Sequence, residues 1–223
     1  MFKHYLKLIS LHIPKTAGTS FRNILKSVYG SKHVVRFDIK DSGHMLMDEK
    51  LVRSQTLPKS VHVIHGHFRY RRLVEAFDVS ELPLITWIRN PIERVVSNYY
   101  YLASVLAKRV DEDGKDLNIV NRMMKTLMEF ACEERNQNRI SKFLDGASLD
   151  DFHFIGVQDF FNEELKELSR LMNWPEAKPV TDNRTEGKRL CEDPEILEEI
   201  GRLNADDMDL YSEVMNRKNR EVL

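Results

Sequence analysis

The residues of one short segment near the start of the sequence are suited to binding an anion. Small and polar residues there separate an apolar run from a helical pattern: Lys15, Thr16, Ala17, Gly18, Thr19 and Ser20. Backbone N–H groups and the positive end of a helix dipole converge at such a turn, and the Lys15 ammonium would stand beside them. We expect Gly18 to supply backbone angles that other residues resist, and Thr19 or Ser20 to cap the helix. The segment therefore predicts a phosphate or sulfate site.

The order of residues in this turn differs from that of the common nucleotide-binding loop. That loop reads G-x-x-x-x-G-K-[ST], with its lysine after the second glycine. Here Lys15 precedes Gly18, and no glycine lies upstream of it. For this segment alone, the alternative is an ordinary strand–helix junction with an exposed lysine.

A second anion contact is predicted where the apolar run Leu84–Ile88 meets a helical pattern that starts at Pro91. Arg89 directly follows the run, at the end of a strand where open α/β sheets bind ligands. Ser97 comes two helical turns after Pro91 and could present its hydroxyl to the same corner. An ordinary strand–helix unit with surface arginines is the alternative here.

Two histidines flank Gly66 at the end of a third strand pattern, Val61–His65. Group transfer to a hydroxyl needs a base whose pKa lies near the working pH, and histidine supplies one. His67 is the first candidate, because Gly66 frees the backbone to turn its side chain out of the strand, and His65 is the second. A structural histidine is the default alternative. A metal site is a weaker rival, since two histidines without a nearby cysteine or carboxylate make a poor ligand set.

These motifs resemble those of the sulfotransferases that use 3′-phosphoadenosine-5′-phosphosulfate (PAPS). HIPKTAGTS is similar to their 5′-phosphosulfate loop, in the form found in the carbohydrate branch with the heparan sulfate 2-O- and 6-O-sulfotransferases. The pattern Arg-Asn-Pro-x-x-Arg-x-x-Ser resembles their 3′-phosphate site, which implies that Arg89 and Ser97 hold that phosphate and that Arg94 braces the loop. The 2-O enzymes carry a His-Gly-His segment with histidine as the proposed base.

A polar loop near the C-terminus, Thr181–Thr185, resembles the segment with which these enzymes close over the nucleotide. The resemblance implies nucleotide contacts from Asn183, Arg184 and Thr185, and a helix-capping loop is the alternative. It also implies PAPS as co-substrate and adenosine 3′,5′-bisphosphate (PAP) as product. Because the leaving phosphate is already acidic, the transfer requires no metal.

The function predicted from these residues is sulfuryl transfer from PAPS to an acceptor hydroxyl. His67 or His65 would deprotonate the hydroxyl, and Lys15 would stabilise the leaving oxygen. The branch of the family points to a glycan acceptor, while a small hydroxyl compound stays open. A basic strip that would suit an anionic sugar follows the candidate base: Arg69, Arg71 and Arg72. The alternatives are a P-loop-like small-molecule kinase and a non-catalytic glycan- or nucleotide-binding relative.

The elements that must position these residues alternate between strands and helices over the first half of the chain. The predicted strands are Leu8–Ile13, Val34–Ile39, Val61–His65 and Leu84–Ile88, with helices from Thr19, near Met47–Ser54, near Arg71–Phe77 and from Pro91. This alternation predicts an α/β fold with a P-loop-like parallel sheet flanked by helices.

The second half is predicted to be mainly helical and to begin after a charged surface loop, Lys108–Asp116. Helices are predicted over Val120–Cys132, Ile140–Leu144, Glu163–Met172, Glu195–Leu203 and Ala205–Asn216, with one late strand at Phe152–Val157. No composition shift marks a domain boundary, so we predict a single domain over residues 1–223.

Bulk composition fits a globular enzyme and excludes several other classes. With 223 residues, 42 % of them hydrophobic and 31 % charged, the chain can bury a sizeable core. Its net charge of −1 gives no global attraction for nucleic acid or anionic membranes. Neither an apolar stretch of about 20 residues nor a signal peptide is seen, so we expect no membrane span and a compact cytoplasmic form, bacterial or viral. Cys132 and Cys191 are expected to be free, buried thiols.

Overall fold

Seven strands form one sheet in the part of the chain that the structure, a computed structural model, describes: residues 5–52, 57–113, 125–175 and 193–221. The strands are β1 (Leu8–Leu11), β2 (Val34–Ile39), β3 (Met45–Met47), β4 (Lys50–Leu51), β5 (Val63–Gly66), β6 (Leu84–Ile88) and β7 (Phe154–Val157), in the order β4-β3-β2-β5-β1-β6-β7. Five of them pair in parallel, while β3 pairs antiparallel with β2 and β4 pairs antiparallel with β3. The α/β prediction is confirmed.

The central strands are short apolar runs covered on both faces of the sheet. Every residue of β1, β5 and β6 is buried, as expected for parallel strands packed between layers of helix. The Thr86 hydroxyl donates to the Leu11 carbonyl at 3.0 Å, which joins the middle of β6 to the end of β1. Leu11 in turn pairs with Gly66 of β5. The three strands therefore end side by side, and the residues that follow them share one edge of the sheet.

The helices of the described residues lie where the sequence patterns predicted them, with shifted ends. They are α1 (Gly18–Tyr29), α2 (Tyr70–Ala76), α3 (Pro91–Asp113), α4 (Leu127–Cys132), α5 (Arg139–Phe143), α6 (Phe161–Leu171), α7 (Pro194–Leu203) and α8 (Ala205–Glu221). None of these described helices is both long enough and apolar enough to cross a membrane.

The chain divides into two units by its internal contacts. One comprises Met1–Arg89 and Ile140–Asn183, and the other comprises Asn90–Arg139 and Arg184–Leu223. The first unit contains the sheet, and its core joins strand and helix side chains: Leu8, Phe21, Leu25, Val63, Ile85, Trp87 and Leu168. The second packs helices around Val95, Val96, Phe130, Ala131 and Ile200. The single-domain organisation of residues 1–223 stays a prediction.

The helix predicted near Met47–Ser54 is wrong in the residues described, because Met47 belongs to β3, which pairs with β2, and Lys50–Leu51 form β4, which pairs with β3. Phe37 of β2 pairs with Met47, and the chain then turns through Asp48 and Glu49. Both turn residues have positive φ values, 44° and 69°, which suit a tight hairpin between β3 and β4. The pairing of this segment with the edge of the sheet makes it a hairpin. That pairing depends on β2, which lies outside the segment, so the sequence of the segment alone does not predict it.

Three further expectations about the second half need correction. The loop predicted at Lys108–Asp116 is wrong as far as Asp113, because α3 continues to that residue; residues 114–124 lie outside the described residues. Helix α4 begins only at Leu127, where Thr126 and Glu129 form a reciprocal cap that fixes its start. Cys132 is exposed, so its expected burial is wrong, and Cys191 lies outside the described residues.

Candidate active site

The turn between β1 and α1 has the backbone conformation of an anion site. Lys15 and Ala17 have positive φ values, 73° and 61°, which are uncommon for residues other than glycine. Thr16 between them is buried, and its Oγ1 donates to the Ile13 carbonyl at 2.8 Å. Left-handed residues in such a turn bring successive backbone N–H groups together into a concave anion-binding nest.

The start of α1 adds further backbone donors to this turn. The helix begins at Gly18 with Ala17 at its N-cap, and no side chain caps it within this fully described helix. The expected capping by Thr19 or Ser20 is therefore wrong, because both residues already lie inside the first turn. Uncapped N–H groups at a helix start are orphan donors, and an anion can satisfy them.

Gly18 is required by a close contact and not by its backbone angles. Its φ is outside the positive range, so the predicted reason for this glycine is wrong. A Cβ built on Gly18 would lie 1.9 Å from His12 Cε1. The imidazole of His12 therefore packs directly on the start of α1.

The charges of two predicted cations interact at the edge of the sheet. Arg89 directly follows β6 and is buried, with 7 % of its surface exposed. The pKa of the half-buried Lys15 ammonium is lowered, mainly by burial and secondly by the positive charge of Arg89. Neighbouring cations repel each other until an anion binds between them or across them. This pair is suited to a ligand that carries more than one negative charge.

The candidate base segment meets a third histidine that sequence reasoning missed. His12 follows β1 as His67 follows β5, and these strands are neighbours. The His12 ring stacks on that of His65 with centroids 5.1 Å apart, and its centroid lies 4.6 Å from that of His67. One signal was present in the sequence: His12 lies near the end of the predicted strand Leu8–Ile13, two residues before Pro14, as the other two histidines lie near the end of theirs.

His65 is a buried member of the sheet. Its Nδ1 and the Ser10 Oγ are 2.9 Å apart, and only 3 % of the residue is exposed. Burial is the main cause that lowers its pKa to about 3, followed by the electrostatic interaction with His67. A histidine of such low pKa stays neutral and is a weak base at neutral pH.

A hydrogen bond to a backbone carbonyl fixes the tautomer of His67. It is half-buried and lies one residue beyond the end of β5. Its Nδ1 lies 2.9 Å from the His12 carbonyl oxygen. A carbonyl only accepts hydrogen bonds, so Nδ1 carries the proton and the neutral ring has its lone pair on Nε2. His67 Nε2 can therefore take a proton from a hydroxyl.

His12 connects this base electrostatically to the anion turn. The pKa of His12 lies well below its usual range, first because of burial and then because of electrostatic interactions with His65, His67, Arg36 and Lys15. Lys15 and His67 both act on the same imidazole. The structure thus brings together the predicted anion turn and the predicted base in one unit.

The predicted acceptor arginines each have an acidic partner. Ion pairs join Arg69 to Asp41, Arg71 to Asp145 and Arg72 to Glu75, at 3.0, 3.1 and 2.8 Å. The charge of this basic strip is therefore largely balanced within the protein. A role of these arginines in binding the acceptor stays a prediction.

The remaining predicted residues lie in the second unit or outside the described residues. Ser97 is half-buried in α3, a helix whose start is capped by the Asn90 side chain, which accepts from the Ile92 N–H at 3.0 Å. Arg94 is buried and donates to the Asn136 carbonyl at 2.9 Å, so it braces this unit. Asn183, Arg184 and Thr185 lie outside the described residues, and their nucleotide contacts stay predictions.

Metal-ligating side chains do not assemble in the parts of the chain that the structure describes. There, no group of three or more His, Cys, Asp or Glu residues could hold a metal ion. The histidine trio is not such a group, because its rings stack and its identified hydrogen bonds go to Ser10 and to a carbonyl. Metal-free transfer stays a prediction.

Comparison with known proteins decides the family. A model of the sulfotransferase family matches residues 1–212. The chain belongs to the sulfotransferase family. The resemblance that the sequence motifs indicated is thereby confirmed, including its similarity to the carbohydrate enzymes.

The similar curated relatives include heparan sulfate 2-O-sulfotransferase 1 of Gallus gallus and of Homo sapiens. Each is 35 % identical to this sulfotransferase over 103 residues, which span 43 % of this chain and only 29 % of the relative. Similar solved structures are mouse sulfotransferase SULT7A1 complexed with PAP and a sulfotransferase from Alicyclobacillus acidocaldarius. They are 12 % identical, with TM-scores of 0.48 and 0.47. They cover 91 % and 90 % of this chain, which covers 64 % and 92 % of theirs.

Proposed function

We propose that this sulfotransferase moves the sulfuryl group of PAPS to an acceptor hydroxyl, with a carbohydrate as the acceptor class. The observation that carries the proposal is the arrangement around His12. The charge of Lys15 acts on the His12 ring, and the ring of the base candidate His67 lies 4.6 Å from it, centroid to centroid. Sulfuryl transfer needs these two functions within reach of one sulfur atom.

The residues present fit the negatively charged ends of PAPS. The 5′-phosphosulfate is assigned to Lys15 and the backbone N–H groups from the turn into α1, which no side chain of that helix caps. Arg89, buried at the end of β6, is assigned to the 3′-phosphate. A contribution of Ser97, which lies in the second unit, stays a prediction from the sequence. When bound, PAPS supplies an activated sulfuryl group on a phosphate leaving group.

The protein's own groups divide the chemistry between them. His67 Nε2 accepts the proton of the acceptor hydroxyl as the new oxygen–sulfur bond forms. The bond between sulfur and the bridging phosphate oxygen breaks, and Lys15 stabilises the negative charge that develops on that oxygen. His65 stays neutral in the sheet, since its pKa is about 3. It supports the neighbouring rings and does not exchange the proton.

The acceptor class rests on the relatives and not on the basic strip. Both named relatives are heparan sulfate 2-O-sulfotransferases. Their names give a carbohydrate hydroxyl as the acceptor. The arginines of the strip are ion-paired, so they do not by themselves select an anionic glycan. A cytoplasmic location of the enzyme stays a prediction from the sequence.

A melting experiment with nucleotides tests the proposal against the kinase and the non-catalytic alternatives. PAP is expected to raise the melting temperature clearly, and ATP only weakly. At a PAP concentration of about 100 times its Kd, binding should stabilise the folded protein by about 2.7 kcal/mol. Equal stabilisation by ATP with phosphoryl transfer would show a kinase. Binding of PAP without release of PAP from PAPS, in a panel of unsulfated glycans and phenols, would show a non-catalytic protein.

The base is tested by His67→Ala, with His62→Ala as the matched control. His62 stands just before β5, at the other end of the same strand. We expect His67→Ala to lower turnover by roughly 10²–10⁴-fold while PAP still raises the melting temperature. His62→Ala should keep the turnover of the unchanged protein. If both variants behave alike, the base lies elsewhere.

A further inference from the structure

A buried carboxylate lies behind the candidate base. Asp38 in β2 is only 3 % exposed. Its Oδ1 accepts the backbone N–H of His67 at 2.8 Å, and its Oδ2 accepts Nε–H of Arg36 at 2.9 Å. Aspartate is depleted in strands, and a buried carboxylate is costly unless it is paired and hydrogen-bonded. The burial of Asp38 and its hydrogen bond to the candidate base segment therefore call for a functional explanation.

The contact lies at the point where the chain leaves the sheet. Up to Gly66, β5 packs so closely on β2 that a Cβ on Gly66 would lie 1.7 Å from the Phe37 carbonyl oxygen. One residue later, the His67 carbonyl still accepts the Ile39 N–H at 3.1 Å. The His67 N–H, in contrast, is held by the Asp38 side chain. Asp38 thus adds a side-chain hydrogen bond between β2 and His67 beyond the end of β5.

Together these contacts fix His67 at its backbone and at its ring. Asp38 and Ile39 hold its N–H and its carbonyl, and the His12 carbonyl holds Nδ1. The backbone contacts set where the imidazole starts, and the His12 carbonyl selects the tautomer with the lone pair on Nε2. If the backbone of His67 moves, Nδ1 loses that carbonyl, because hydrogen bonds weaken steeply with distance and angle.

We propose that Asp38 is a positioning residue: its carboxylate holds the His67 backbone so that Nε2 presents its lone pair to the acceptor hydroxyl. This inference rests on the proposed function, in which His67 is the base. A displacement of about 1 Å of a reacting group can cost about 10²-fold in rate. Asp38 acts through His67 and does not contact the substrate in this proposal.

The test compares Asp38→Ala with Asp48→Ala. Asp48 is a matched control, because its Oδ1 accepts from the Arg36 backbone N–H at 3.0 Å and from Arg22 at 3.2 Å but does not hold His67. We expect Asp38→Ala to lower kcat by about 10- to 100-fold with KM for PAPS within about twofold. Asp48→Ala should keep both values. Asp38→Asn, which retains an acceptor oxygen, should restore most of kcat.

A spectroscopic measurement separates positioning from support of the fold. The ¹⁵N signals of the His67 ring, assigned with His67→Ala, should show the Nδ1–H tautomer in the unchanged protein and in Asp48→Ala. Asp38→Ala should show a mixture of tautomers. If Asp38→Ala does not fold, Arg36→Leu with Asp38→Leu removes both charges together, a change that cores tolerate better. That double variant should show the same loss of kcat and of the single tautomer.

The outcomes distinguish this inference from the proposed function. An unchanged tautomer and unchanged kcat in a folded Asp38 variant would overturn the positioning role. A kcat loss with an unchanged tautomer would also overturn it, and would assign Asp38 to the fold. A changed tautomer with unchanged turnover would confirm the contact but remove His67 as the base. The ring signals can be read even if no acceptor is turned over.

Discussion

Acid is expected to destabilise this fold through His65. The ring is buried within β5 beside Ser10, and its pKa is lowered to about 3, chiefly by burial and next by the electrostatic interaction with His67. In the unfolded chain a histidine titrates near the ordinary value of about 6.5. Between these two values the unfolded state binds a proton that the folded state does not bind. The contribution of the neutral His65 to the free energy of unfolding is therefore fully present above about pH 6.5 and is lost progressively as the pH drops toward 3.

The size of the effect follows from the distance between the pH and the unfolded pKa. Each unit below about 6.5 costs about 1.4 kcal/mol while the folded ring stays neutral. At pH 5 the loss from His65 alone is therefore about 2 kcal/mol, and at pH 4 about 3 kcal/mol. Since natural domains are stable by about 5–15 kcal/mol, a loss of this size is measurable.

Urea unfolding at pH 8 and at pH 5 measures this loss. The comparison uses the unchanged protein, His65→Asn and His44→Asn. Asparagine can keep a hydrogen bond to Ser10 but does not titrate, so His65→Asn should lose about 2 kcal/mol less than the unchanged protein between the two pH values. His44 is exposed and serves as the control for loss of a histidine. His44→Asn should show the pH dependence of the unchanged protein.

An equal pH dependence of His65→Asn and the unchanged protein would refute this reasoning. It would mean that the buried ring takes up a proton in the folded state without loss of the fold. The free energy of unfolding at pH 8 does not decide the matter. The asparagine lowers it by changing packing at both pH values, so only the difference between the two pH values isolates the proton.

Three further variants test the anion turn and its neighbours. Lys15→Ala should lower turnover by about two orders of magnitude or more with little change in melting temperature, because it removes charge stabilisation at the leaving oxygen; steady-state assay of PAP release measures this, and turnover like that of the unchanged protein would end the assignment. Arg89→Ala should weaken PAPS binding by about 1.5–3 kcal/mol and leave binding of adenosine 5′-phosphosulfate nearly unchanged, since that nucleotide has no 3′-phosphate. Calorimetry measures both affinities, and equal losses for the two nucleotides would mean that Arg89 does not bind the 3′-phosphate. Gly18→Ala should destabilise the fold by about 1–3 kcal/mol, because its methyl group would overlap the His12 ring. His12→Ala in the same chain should recover much of that loss in a melting experiment, and the contact is wrong if it does not.

The sequence by itself determined the parallel strands, the turn and the family. The runs at Val34–Ile39 and Leu84–Ile88 are strands at the predicted bounds, because a strand buried on both faces is recognisable from its local apolar composition. The Lys15–Gly18 turn and the position of Arg89 after a strand were also predictable, because proline and glycine interrupt strands and helices through local backbone effects. The first choice of His67 over His65 was also a prediction from local features.

Only the tertiary structure decided how these residues act together. His12 and Asp38 meet His67 across 55 and 29 residues of sequence, through the pairing of β1 and β2 with β5. The same pairing buries His65 and lowers its pKa. The pairing of β3 with β2 and with β4 makes a hairpin of residues that were predicted to be a helix. The His12 ring, packed on the start of α1, leaves no space for a side chain at Gly18. The physical reason is that desolvation, close packing and hydrogen bonding depend on which strands lie side by side, and no local window of sequence contains that information.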